Sequence, residues 1–137
     1  MELQFSVKGG DFTRAGTASS QIKKNLKNLG VNPAVIKRVV VALYEAEVNI
    51  VAHAYSGVIN ADIQPNGITL VLEDEGPGIP DIAKAMTKGF STASPEVREM
   101  GFGAGMGLPN IKDNADEMDI ESVVGQGTKL TIKINFS

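Results

Sequence analysis

Val58-Ile59-Asn60-Ala61-Asp62-Ile63-Gln64-Pro65-Asn66-Gly67-Ile68-Thr69-Leu70-Val71-Leu72 sets two apolar runs on either side of a Gln-Pro-Asn-Gly turn. Both runs are rich in residues that fit a pleated surface, and proline and glycine between them reverse the chain, so the stretch reads as an antiparallel hairpin. A second hairpin is read downstream, where 118–124 and 128–136 flank Gly125-Gln126-Gly127. At the other end, Leu3, Phe5 and Val7 alternate with polar residues until Gly9 and Gly10 break the period, which predicts a short first strand.

Between that strand and the first hairpin the period changes from two to three or four. Asp11 is read as the cap of a helix buried through Ala15, Ala18, Ile22, Leu26 and Leu29 and stopped by Gly30. Asn32 and Pro33 open a second helix with Val35, Val39, Leu43, Ala46 and Ile50 on its buried stripe, running to about Tyr55 before Gly57 ends it. Leu108, Ile111 and Ala115 mark a third helix. From 73 to 107 the pattern gives way to glycine, proline, serine and charge, a connection too long to be a simple loop. The expected fold class is α+β: a two-layer sandwich with a mixed, mostly antiparallel sheet and its helices on one face, in one domain spanning 1–137.

Composition removes whole classes of function. With 13 basic and 16 acidic side chains the net charge is −3, and no block of five like charges occurs, which disfavours nucleic acid and anionic membranes as partners. Without cysteine, and with His53 the only histidine, thiolate or histidine-rich metal sites are excluded, so a bound metal must accept oxygen ligands. The N-terminus lacks the basic start and apolar run of a signal peptide and no stretch is long enough to span a bilayer, so the expected location is the cytoplasm.

Three constellations carry chemistry. Glu45, Asn49 and His53, spaced by four, stack along one helix face. They read either as a solvated face with a satisfied histidine, or as a carboxylate base beside an amide oxygen for Mg²⁺, which explains an asparagine in a helix interior. Asp74, Gly76 and Gly78 close the first hairpin as DxGxG, read as an acidic surface turn or as a turn facing a ligand. Gly101, Gly103, Gly105 and Gly107 alternate into the third helix, read as a linker or as backbone amides that hold phosphate at a helix start. Neither GxxxxGK[ST] nor GxGxxG is present, and the signatures of eukaryotic-type kinases are absent.

Taken in order, ExxxN on a helix (Glu45, Asn49), DxGxG after a strand (Asp74, Gly76, Gly78), GxGxGL before a helix (Gly103, Gly105, Gly107, Leu108) and GxGT between the last strands (Gly125, Gly127, Thr128) resemble the motifs of the GHKL ATPases. The string 45–55 and the size of the chain are similar to the bacterial anti-sigma-factor serine/threonine kinases of the RsbW and RsbT type. The resemblance covers essentially the whole sequence.

It implies an ATP-dependent protein kinase that phosphorylates a small STAS-domain antagonist in a pathway where a sigma factor is a further partner. The implied cofactors are ATP and Mg²⁺. By the same resemblance Asp74 receives the exocyclic amine of adenine with help from Thr128, Gly78 lets the purine approach the backbone, Gly76 is a further nucleotide-binding residue, and Asn49 ligates Mg²⁺. Glu45 is the implied catalytic base, and 88–105 the implied ATP lid, with Gly103, Gly105 and Gly107 around the phosphates and Leu108 counted among the nucleotide-binding residues. Arg98 is the candidate for the lid cation that meets the γ-phosphate, because no basic residue adjoins the last glycines. Gly89-Phe90-Ser91-Thr92 resembles the phenylalanine box of histidine kinases, but no second helical domain carries a phosphoacceptor histidine. Two further readings stay open: a nucleotide-gated module that sequesters a sigma factor without transferring phosphate, and an autonomous ATP hydrolase, for which the coupled domains are missing. Homodimer or monomer is equally left open.

Overall fold

The computed structural model describes residues 1–79, 81, 82, 86 and 107–137. Its strands are β1 (Glu2–Lys8), β2 (Ser56–Gln64), β3 (Gly67–Glu75), β4 (Glu117–Val123) and β5 (Gly127–Asn135), and its helices α1 (Thr17–Asn28), α2 (Pro33–His53) and α3 (Gly107–Asn114). The strands form one sheet in the order β1-β2-β3-β5-β4. All four pairings are antiparallel, so the sheet is not mixed as expected. The first hairpin is tighter than its sequence reading, because Gln64 pairs with Gly67 and only Pro65 and Asn66 remain as its loop.

Register puts one residue of every two on the helix side. Ile59 lies opposite Leu72 and Leu72 opposite Leu130, while Ala61, Leu70 and Ile132 align in the next row of that face. These residues pack against Ile22 and Leu26 of α1, Val39, Leu43 and Ile50 of α2, and Ile111 of α3 in one core. The opposite face alternates charge across neighbouring strands, as in the row Glu73, Lys129 and Glu121. No helix among the described residues is long and apolar enough to cross a membrane.

The second helix begins as read: Asn32 Oδ1 accepts the amide N–H of Ala34 at 2.8 Å and Pro33 occupies the first turn. It ends at His53, however, and Gly57 belongs to β2. The start of the first helix is a larger correction. Asp11 does not cap it; Asp11 Oδ1 accepts the Thr13 hydroxyl at 2.8 Å beside a 3₁₀ turn over Phe12–Arg14, and the α-helix begins only at Thr17. Ala15 therefore precedes α1, and Leu29, just past its end, is exposed.

Gly16 at the N-cap has no side chain with which to cap α1, and the acceptor comes from α2. The Glu47 carboxylate, 2% exposed, takes the N–H groups of Gly16 (3.0 Å), Ala18 (3.3 Å) and Ser19 (3.3 Å) and the Ser19 hydroxyl (3.0 Å). A buried anion is thus satisfied by donors that a helix N-terminus leaves free.

The far end of α3 is tied to α2 as well. Arg38 donates from Nε to the Asn114 carbonyl at 3.1 Å and from Nη2 to Asp116 Oδ1 at 3.2 Å. The amide of Asn135 on Asp116 Oδ2, and secondarily Arg38, hold the Asp116 carboxyl below its ordinary range.

Candidate nucleotide site

The sequence-selected residues gather where α2 approaches its C-terminus, β3 ends, and α3 and β5 begin. Glu45 and Asn49 are half-buried, four residues apart on the side of α2 that meets α3. Gly107, the first residue of α3, lies directly on Asn49: a β-carbon there would stand 3.0 Å from both the amide oxygen and the amide nitrogen of Asn49. A side chain at 107 would fill the space over that amide. Among the described residues the Asn49 side chain has no hydrogen-bond partner, and its amide oxygen is a donor of the kind that suits an oxygen-preferring cation such as Mg²⁺.

Five residues further on, Ala54, just past the end of α2, meets the DxGxG turn. A β-carbon on Gly76 would stand 3.0 Å from Ala54 Cα and 3.5 Å from Asp74 Oδ1, which explains the glycine between helix end and carboxylate. Asp74 Oδ1 accepts the amide N–H of Thr128 at 3.1 Å, the pairing that its register opposite Thr128 imposes. Burial raises the Asp74 carboxyl above its ordinary range, and the Thr128 amide opposes this in part. Oδ1 is engaged; the other oxygen can accept a donor from a ligand.

Gly78 has φ +75°, and a β-carbon would lie 2.5 Å from the Val123 carbonyl oxygen, so the missing side chain permits close packing on the β4–β5 turn. Leu108 is buried in the core. Burial lowers the His53 pKa, keeping the imidazole neutral at pH 7. Arg98, Gly103, Gly105, the phenylalanine box and the whole of the 88–105 lid lie outside the described residues. A cavity of about 380 Å³ lined by Lys112, Asp116, Met118 and Ile120 opens at the other end of α3, away from Asn49 and Asp74.

Two residues of this region went unread in the sequence. The Ser122 hydroxyl accepts the Ile79 N–H at 2.7 Å and lies 2.9 Å from Thr128 Oγ1 and 3.1 Å from the Gly127 carbonyl, joining the DxGxG turn to β4 and β5. The signal was a polar residue at an inward position, after Met118 and Ile120 in the same alternation. Asn110, inside α3, donates from Nδ2 to Glu45 Oε1 at 3.4 Å. Its signal was the one already applied to Asn49, an asparagine in a helix interior.

A long helix thus presents Glu-x-x-x-Asn to the helix that begins at Gly107, beside a strand-end aspartate held by its neighbour strand. Residues 11–134 match the histidine kinase-like ATPase domain family. The serine/threonine-protein kinase RsbT of Bacillus subtilis is 38% identical over 118 residues, 82% of this chain and 83% of its own length. An anti-sigma F factor of Caldanaerobacter subterraneus subsp. tengcongensis is 36% identical over 133 residues, 93% of this chain and 87% of its own. The crystal structure of the RsbU and RsbW domains of a Mycobacterium tuberculosis protein has the same fold, with a TM-score of 0.66 over 98% of this chain and 31% of that one at 18% identity. The chain belongs to the GHKL-type anti-sigma-factor kinase family.

Proposed function

We propose that this chain is a cytoplasmic, Mg²⁺- and ATP-dependent protein serine/threonine kinase, a single nucleotide-binding domain that phosphorylates a small STAS-domain antagonist in a partner-switching pathway. The observation that carries the proposal is the Asn49 amide, without a side-chain hydrogen bond among the described residues and with space over it where Gly107 lacks a side chain, and the Glu45 carboxylate one turn away. Asn49 would hold Mg²⁺, which would supply charge neutralisation for the transfer. Glu45 orients the acceptor hydroxyl and takes its proton as that oxygen attacks the γ-phosphorus and ADP leaves. Asp74 accepts the adenine amine on the oxygen not engaged by Thr128. Incubation with γ-labelled Mg·ATP and the STAS-domain proteins of the same cell tests the proposal: label on a serine or threonine of one of them is expected, and absence of label on all of them overturns it.

The relatives named anti-sigma F factor, matching over more than nine-tenths of the chain, favour a second reading. In it the chain sequesters a sigma factor under nucleotide control, with or without transfer. Co-elution with a sigma factor in Mg·ADP or Mg·ATP, while no STAS protein becomes labelled, is the result that selects it.

Asp74 gives the nucleotide assignment its own test. Its Asp74→Asn variant is expected to bind ATP about 1–3 kcal/mol more weakly by calorimetry, because a charged acceptor is lost. Below the raised Asp74 pKa the protonated carboxyl faces the adenine amine donor to donor, so affinity of the unmutated chain is expected to rise with pH through the upper carboxylate range and then level off. Stability runs the other way: a carboxyl raised by folding costs stability when ionised, and that cost is relieved as pH falls through its folded value. Asp74→Asn should therefore fold at least as stably at pH 7. Unchanged affinity in Asp74→Asn removes Asp74 from adenine recognition.

A further inference from the structure

The contacts between α2 and α3 run as an antiparallel series. Asn49 meets Gly107, Glu45 meets Asn110, and Arg38 meets Asn114, with both sets of positions spaced at three, four or seven residues so that each forms one stripe on its helix. Among the described residues, the Asn110 amide is the one hydrogen-bond partner of the Glu45 carboxylate, from Nδ2 to Oε1 at 3.4 Å. Asn110 is itself held, since its carbonyl accepts the Asn114 side-chain amide at 2.8 Å and Arg38 closes on the Asn114 carbonyl. Asparagine inside a helix costs roughly half a kcal/mol relative to alanine, so α3 carries a residue that weakens it at the position facing the proposed base.

We infer that Asn110 is the positioning residue for Glu45: its amide fixes which carboxylate oxygen turns toward the acceptor hydroxyl, and α3, anchored by Arg38, fixes the amide. The inference rests on the kinase reading above. A long, single hydrogen bond restrains orientation without holding the helix together, so its loss should appear in the transfer step rather than in folding or binding.

The test is a double-mutant cycle of Asn110→Ala and Glu45→Ala, read by single-turnover transfer from γ-labelled Mg·ATP to the STAS-domain protein that the unmutated chain labels. Asn110→Ala is expected to lower the transfer rate about tenfold with ATP affinity and melting temperature unchanged or raised, and to cost nothing more in the Glu45→Ala background. In the nucleotide-free protein, the Asn110 side-chain amide resonances should move on Glu45→Ala, a readout independent of activity. Transfer unaffected by Asn110→Ala but lost in Glu45→Ala overturns the inference and leaves the kinase reading standing. Losses that add in the double variant, or a lowered melting temperature in Asn110→Ala, make the contact structural and overturn it too. Glu45→Ala as active as the unmutated chain, or an unmutated chain that labels nothing, removes the kinase role of Glu45 and the positioning role with it.

Discussion

Glu45→Ala is expected to slow single-turnover phosphotransfer about 10²- to 10⁴-fold while ATP affinity changes little, the range typical for removing a general base. The asymmetry follows from where the carboxylate sits. Glu45 lies beside Asn49 on the α3-facing side of α2, where it can reach an incoming hydroxyl, but an anion contributes nothing attractive to a bound polyphosphate. Asn49→Ala should behave differently, losing Mg²⁺-dependent binding and transfer together, because its open amide oxygen is the proposed metal ligand. Quench-flow on the labelled partner, alongside calorimetry with Mg·ATP and Mg·ADP, separates the two. A loss below about tenfold in Glu45→Ala takes Glu45 out of the mechanism.

Glu47→Ala is expected to destabilise the protein by about 2–4 kcal/mol, enough to raise the unfolded fraction by one to three orders of magnitude. Its carboxylate accepts three backbone amides and a hydroxyl at the N-terminus of α1 while only 2% exposed. Truncation leaves those donors buried without a partner and removes the cap that Gly16 cannot supply. Glu47→Gln keeps one oxygen acceptor and loses the charge, so it should fall between the two. Urea unfolding followed by circular dichroism gives the free energies, and a loss under about 0.5 kcal/mol in Glu47→Ala means that α1 is not anchored through this residue. Glu47 is two residues from both Glu45 and Asn49, about 200° around the helix, so one face of α2 is fixed to α1 and the other meets α3.

The sequence by itself determined the element order and the layers. Period-2 runs broken by Pro65-Asn66-Gly67 and Gly125-Gln126-Gly127 can close only as hairpins, and apolar residues three and four apart in α2 can be buried only on one side. It also pointed to Glu45, Asn49 and Asp74, because a polar residue where propensity or burial disfavours it needs a partner or a ligand. Tertiary structure decided what depends on residues distant in the chain. Asp11 fulfils the local rule for a helix cap, yet Glu47, 28 to 31 positions from the donors it accepts, supplies the acceptor, since local rules cannot register an anion brought in by another helix. Gly78 packs on the Val123 carbonyl, a contact that exists only once the β4–β5 turn is folded against it. Asn110 and Ser122 acquired their roles in the same way: hydrogen bonds across 65 positions to Glu45 and 43 to Ile79 exist only once α3 packs on α2 and β4 closes the sheet edge.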